Sequence, residues 1–263
     1  MAAQVQGCVH VHIEPRETGA VARVTIDNAV RLNVIGSALM AQCASEFTAL
    51  AAREDLRAVV LTGAGERAFI GGADVYEMEA LDGSQACEFI TSLHKMCTAL
   101  RSLAVPVIAR INGFALGAGL EVAAACDLRV AATHAVFGMP EVKVGIPSVI
   151  EAALLPRLIG WGRTCELLLL GQSIDAQSAL RWGLVERVVP ANGLDAAVEE
   201  WLIAVLNAGP QAVRLQKKLM RQWEDLPLNA AIAAGVDRFA EAYATDEPSR
   251  LMRAFINRPR RRS

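Results

Sequence analysis

Two acidic residues stand where acids are costly. Glu121 sits in GFALGAGLEVAAA, among glycine, alanine, valine and leucine, and Glu141 follows twenty positions later, directly after Pro140. A carboxylate in such surroundings costs several kcal/mol unless it is paired or used. The small residues Gly113, Ala115, Gly117, Ala118 and Gly119 precede Glu121 and read as strand, turn, then a helix beginning near Gly117. Glycine and alanine let another molecule approach the backbone, and the first-turn amides of a helix point outward unpaired. With the partial positive charge of a helix N-terminus, such amides can hold a developing oxyanion. The same residues also suit tight packing of a helix on a strand. A second loop of this type lies upstream in GERAFIGGADVYEM, where Gly71-Gly72-Ala73 precede a helix start that Asp74 is placed to cap. Two such loops offer converging N–H donors, each worth about 3–4 kcal/mol to an enolate-like oxygen. That is the equipment of a carbonyl-activating enzyme.

Other chemistries find less support. There is no GKS/T phosphate loop, no HExxH and no GxSxG. GFALGAG is a loose match to a dinucleotide fingerprint, without the acidic residue expected about 20 positions on. The net charge of −2 argues against a nucleic-acid partner. No apolar run reaches the ~18–20 residues of a membrane span. The start, MAAQVQGCVHVHIEP, has neither a signal peptide's apolar core nor the Arg-rich look of a transit peptide. The six cysteines are scattered with no CxxC pair, so buried free thiols and a cytoplasmic setting are expected. His10 and His12 share a strand face as a metal pair would. With no carboxylate or cysteine expected in register, a solvated edge is the reading and no metal site is assigned.

The elements that must position these groups follow from periodicity. CVHVHIE (8–14) and AVARVTID (20–27) alternate around PRETG, which reads as a β-hairpin. Leu39, Cys43, Phe47 and Leu50 make a helical stripe, followed by RAVVLTG (57–63), a short apolar strand of the two-sided parallel kind. A helix over about 84–102 carries Phe89, Ile90, Leu93, Met96, Cys97 and Leu100 on one face, and VPVIARING (105–113) is a second buried strand. This order argues for an α/β fold with right-handed crossovers. Beyond about residue 145 the pattern turns to helix after helix, including the stripe Leu228, Ile232, Val236, Phe239 and part of another at Leu251, Met252 and Phe255. We expect an α/β core over 1–195 and a helical portion over 196–263. The late stripes are apolar enough to suggest subunit contacts.

At this point the chain resembles the crotonase, or enoyl-CoA hydratase/isomerase, superfamily over nearly its whole length. AFIGGADVYEM, PVIARINGFALGAGLEVAAACDLRVA, FGMPEVKVG and LLLLGQSIDAQSALRWGLVERVVP carry the likeness. The resemblance implies a crotonase-like spiral of ββα turns followed by a helical trimerisation region. It places the oxyanion hole on the amides of Ala73 and Ala118 and the two hydratase glutamates on Glu121 and Glu141. In the family, these glutamates hold a water that adds to C3 of a trans-2-enoyl thioester while a proton goes to C2. Hydration needs a base to deprotonate water and an acid to protonate the enolate carbon. Two carboxylates sharing a proton in a partly apolar pocket have their pKa values pushed far enough apart to divide those roles. The bland alternative pairs Glu121 with Arg129 and leaves Glu141 as a loop-surface acid. Coenzyme A enters as part of the acyl-CoA substrate, so no separate cofactor is implied, and a homotrimer or a dimer of trimers is.

Where the family runs into a glycine-rich segment, this chain has EVKVGIPSVIEAALLPRLIG, one residue shorter, with Ser148-Val149-Ile150-Glu151 in place of the glycines. Ser148-x-x-Glu151 reads as a capping box, with Glu151 as a third carboxylate near the site the other option. Val149 and Ile150 imply a narrower acyl pocket suited to short or branched groups. Gly71, Gly72, Asp74, Gly117 and Pro140 are expected to contact substrate alongside them. Arg31 lies in the loop that touches CoA in the family, and the NRPRRRS tail either meets a CoA phosphate or frays. An isomerase, which needs one carboxylate, and a non-catalytic RNA-binding member of the fold are the alternatives to a hydratase.

Overall fold

The computed structural model describes residues 7–257; the MAAQVQ start and the RPRRRS end lie outside the described residues. The described residues form two compact units, divided between Trp201 and Leu202.

The first unit begins with the expected hairpin, β1 (Cys8–Arg16) and β2 (Gly19–Asp27), paired antiparallel with Cys8 opposite Asp27. Helix α1 (Ser37–Ala51) leads to β3 (Leu56–Gly63) and the short β4 (Ala68–Ile70). Helices α2 (Val75–Glu79) and α3 (Gly83–Arg101) follow, the latter opened by a capping box between Asp82 and Gln85. Next come β5 (Val107–Ile111), β6 (Phe114–Leu116), α4 (Ala118–Ala125), β7 (Leu128–Ala132) and β8 (Val136–Gly138). Strands β1-β2-β3-β5-β7 enter one sheet in that order, and β4-β6-β8 enter a second. Successive strand pairs thus feed one strand to each sheet before the chain turns away, which is the spiral of ββα turns. Parallel pairing joins β2, β3, β5 and β7, so these strands are covered on both faces and read as continuous apolar runs.

Beyond residue 145 the sequence pattern reads as helix after helix within an α/β core drawn to residue 195, and the structure adds two short strands there. Helices α5 (Leu155–Ile159) and α6 (Trp161–Leu170) are followed by β9 (Ser173–Asp175), α7 (Ala176–Trp182) and β10 (Arg187–Val189). β10 closes the six-stranded sheet against β7, and β9 closes the four-stranded one against β8. Three residues are too few to display a period of two, so pairing partners alone define these strands. Helix α8 (Leu194–Asn207) contains the division between the units.

The core fills the space that the predicted stripes face. Phe47, Phe69, Phe137, Met40 and Met96 are fully buried, each worth roughly 1.5–3 kcal/mol of apolar burial. Cys43, Cys97 and Cys126 are buried thiols outside any disulfide, as expected, whereas Cys87 is exposed. At the hairpin edge the structure overturns the expectation that His10 lacks partners in register. Cys8 Sγ and Asp27 Oδ2 each lie 3.3 Å from its Nε2, because residues 8 and 10 share a face and Asp27 stands opposite Cys8.

The second unit holds α9 (Pro210–Asp225), α10 (Leu228–Ala242) and α11 (Glu247–Ile256). Pro210 and Pro248 stand in the first turns of their helices, where a missing N–H costs nothing. Glu247 Oε1 and Oε2 accept from the Ala212 and Gln211 amides at 2.9 and 3.1 Å, tying α11 to the start of α9. Among the described residues, no helix is long and apolar enough to cross a membrane.

Candidate active site

Each small-residue loop turns a strand of the second sheet into a helix while leaving one amide uncommitted. After β4, Gly71 N donates to Leu32 O at 2.8 Å, Ile35 N donates to Gly72 O at 3.0 Å, and Asp74 N donates to Ile35 O at 2.9 Å. These bonds engage the backbone on both sides of Ala73; its own N–H has no acceptor among the described residues. After β6, Gly117 takes φ +52°, which glycine adopts without strain, and donates its N–H to Gly138 O at 2.9 Å. A side chain there would run into Glu141 Oε1. Ala118 is the first residue of α4, so its N–H has no partner within the helix. The packing role of the small residues is real as well: a Cβ at Gly119 would collide with Ile70 O.

Glu121 lies in the first turn of α4 and is 4% exposed. Its Oε1 accepts from the Ala152 amide at 3.2 Å. Burial pushes its pKa up to about 8; the Ala152 bond works against that, and the Glu141 and Glu151 charges add to it. Glu141 opens a 3₁₀ turn, Glu141–Val144, and its Oε2 accepts from Ser148 Oγ at 2.9 Å. Arg129 is not Glu121's partner: its guanidinium pairs with Glu186 and donates to Leu184 O and Cys126 O, both at 2.8 Å. The two glutamates are thus held by neutral donors and kept for use.

Both carboxylates open into one cavity of about 150 Å³. Gly71, Gly72, Ala73, Gly117, Ala118, Pro140 and Val149 line it. Three expected residues do not. Arg31 and Asp74 are outside the lining and bind each other bidentately at 2.7 and 2.8 Å, with the guanidinium 5.4 Å from the Tyr76 ring. That hydrogen bond to Arg31 holds the Asp74 carboxyl below the usual range, and Asp74 also caps α2 through Tyr76 N, as its position suggested. Ile150 packs into the core instead of facing the cavity. Its φ of +41° is an outlier for a β-branched residue and costs about 1–3 kcal/mol.

That turn also removes the expected capping box. Val149 occupies the cap position of the 3₁₀ turn Ile150–Leu154, with no side-chain cap bond. Ser148 holds Glu141 instead, and Glu151 Oε1 lies 2.9 Å from His94 Nδ1. Phe89, Leu93 and Met78 wall the cavity too. Phe89 and Leu93 are the same residues whose spacing marked a core face, and periodicity cannot tell a face that packs from a face that lines a pocket.

Residues 16–261 match the family model of enoyl-CoA hydratase/isomerase. The chain is 36% identical to the short-chain-enoyl-CoA hydratase of Clostridium acetobutylicum, covering 91% of this chain and 92% of that protein. It is 34% identical to the crotonyl-CoA hydratase of Syntrophomonas wolfei, covering 86% and 88%. The crystal structure of enoyl-CoA hydratase from Bacillus anthracis superposes with a TM-score of 0.88 at 32% identity, covering 93% and 95%. The chain belongs to the enoyl-CoA hydratase/isomerase family, and its fold is the crotonase fold.

Proposed function

We propose that this protein is an enoyl-CoA hydratase that adds water across the double bond of a short-chain 2-enoyl-CoA thioester, giving the 3-hydroxyacyl-CoA. One observation carries the reading: two carboxylates without cationic partners among the described residues share a cavity with two uncommitted amides. The thioester oxygen is received by the Ala73 and Ala118 N–H groups, which stabilise the enolate as it forms. Glu121 and Glu141 hold one proton between them, and in the free protein burial leaves it on Glu121. The ionised member takes a proton from water as the oxygen bonds to C3, while the protonated member delivers its proton to C2. Transfer between the two carboxylates restores the starting state, so the sum is addition of H₂O.

The short-chain assignment rests on the wall of Phe89, Leu93, Val144, Ile146 and Val149, and on the names of the two curated relatives. The assembly we propose is a homotrimer or a dimer of trimers built through the second unit. There α10 presents Leu228, Ile232, Val236 and Phe239 at 62–74% exposure, more apolar surface than a lone chain leaves bare.

The test is hydration of crotonyl-CoA, followed by loss of the enoyl-thioester absorbance and detection of 3-hydroxybutyryl-CoA. Glu121→Gln and Glu141→Gln should each lower kcat by about a hundredfold or more, because an amide cannot move the proton. Retention of more than about a tenth of wild-type kcat by either variant rejects that residue's role.

A further inference from the structure

Glu151 is a third carboxylate beside this site, and the reaction above leaves it unused. It is 6% exposed, on the Ile150–Leu154 turn that packs against α4. Its two oxygens differ sharply. Oε1 meets His94 Nδ1 of α3 at 2.9 Å, whereas Oε2 is buried with no hydrogen-bond partner. The next residue along the turn is Ala152, whose amide donates to Glu121 Oε1. One turn therefore carries both the amide that orients Glu121 and, at the preceding residue, a buried carboxylate. His94 is half-exposed, so it connects that anion to solvent. A glutamine would anchor the turn to His94 without burying an under-solvated charge. What a carboxylate adds at this position is its charge.

We propose that Glu151, anchored by His94, is a positioning residue for the hydration: its turn orients Glu121 through the Ala152 amide, and its negative charge keeps the shared proton on Glu121. The titratable groups around the pair fit this role. From α3 come His94 and Cys97, from α4 Glu121 itself, from the turn before Ser148 Glu141, and from the end of α4 Cys126. The charges that act on Glu121 from the described residues are those of Glu141 and Glu151. The buried Cys97 thiol is pushed well up, by burial first and then by the charges of Glu151, Glu121 and Cys126.

This inference rests on the hydratase reading, and two measurements separate them. Hydration of crotonyl-CoA by wild-type protein tests the reading. The inference is tested by ¹³C NMR titration of the glutamate carboxyls, with the Glu121 signal assigned by Glu121→Gln, which needs no turnover. In Glu151→Gln the Glu121 midpoint should fall by about half a pH unit or more, because a neighbouring like charge has been removed. The alkaline limb of the kcat/KM profile should move down with it. Should that variant fail to fold, His94→Leu carries the same test at a half-exposed position. It removes the His94 contact to Glu151 Oε1, so the turn that carries the Ala152 amide loses its anchor and the Glu121 midpoint should move from its wild-type value. A folded variant that loses turnover or stability while the Glu121 midpoint stays in place overturns the proposal and leaves Glu151 as an anchor only.

Discussion

Ser148 and Glu141, seven residues apart, are joined by a 2.9 Å hydrogen bond from the serine hydroxyl to Oε2. The glutamate's other oxygen, Oε1, lies over Gly117, where any side chain would collide with it. One contact fixes the carboxylate from behind, and a missing Cβ leaves room in front. Together they hold Glu141 at the mouth of α4, beside the Ala118 amide.

Ser148→Ala should therefore weaken catalysis without unfolding the protein. A hydrogen bond to a charged group is worth about 1.5–3 kcal/mol, so kcat/KM on crotonyl-CoA should fall roughly 10- to 100-fold. Steady-state kinetics beside a circular dichroism spectrum checks this, and an unchanged kcat/KM would detach Ser148 from the site.

Ala118→Pro removes one amide hydrogen and little else, because Ala118 is the first residue of α4 and proline suits that position. Losing one oxyanion donor should lower kcat by about 10²- to 10³-fold while product binding changes little. Isothermal titration with a saturated acyl-CoA, set beside kcat, separates the two effects. A folded proline variant with normal turnover would mean the oxyanion is held elsewhere.

Glu121 makes a prediction about stability and pH. Its folded pKa, about 8, lies above its ordinary value of 4.5, so between those limits the native state keeps a proton that the unfolded chain releases. Unfolding is then favoured as pH rises through that window, and the effect is complete above the folded pKa. Glu121→Gln removes the penalty. It should be more stable than wild type at pH 8, by on the order of a few kcal/mol, with the gap closing toward pH 4.5. Urea unfolding at several pH values measures this, and a gap that grows on acidification contradicts the sign.

The bare apolar row on α10 predicts association. Multi-angle light scattering of purified protein should give three or six times the chain mass. Ile232→Glu and Phe239→Glu together should shift that mass downward, since like charges facing one another in a desolvated contact are costly. An active monomer would rule out the proposed assembly.

What the sequence determined by itself is everything set by neighbours along the chain. Alternation in 8–14 and 20–27 makes the hairpin, the stripe Leu39, Cys43, Phe47, Leu50 faces the core, and Asp74 caps α2, because a residue's face and a cap's reach are local properties. The loops that free the Ala73 and Ala118 amides were legible for the same reason: strand, glycine and helix follow one another directly. What only the tertiary structure decided is which distant faces meet. Ser148 had two partners of similar worth within reach, a donor amide at a helix start three residues on and an acceptor carboxylate seven residues back, and the left-handed backbone at Ile150 took away the first. Phe89 and Leu93 satisfy the same helical period whether they pack against carbon or wall a cavity. Glu121's partner is an amide thirty-one residues away, and Glu151's is a histidine fifty-seven residues back on α3. No pattern along the chain encodes those distances, because they arise from how the spiral stacks its turns. Spacing could show that the two acids were costly, but only their placement in one cavity shows what they face.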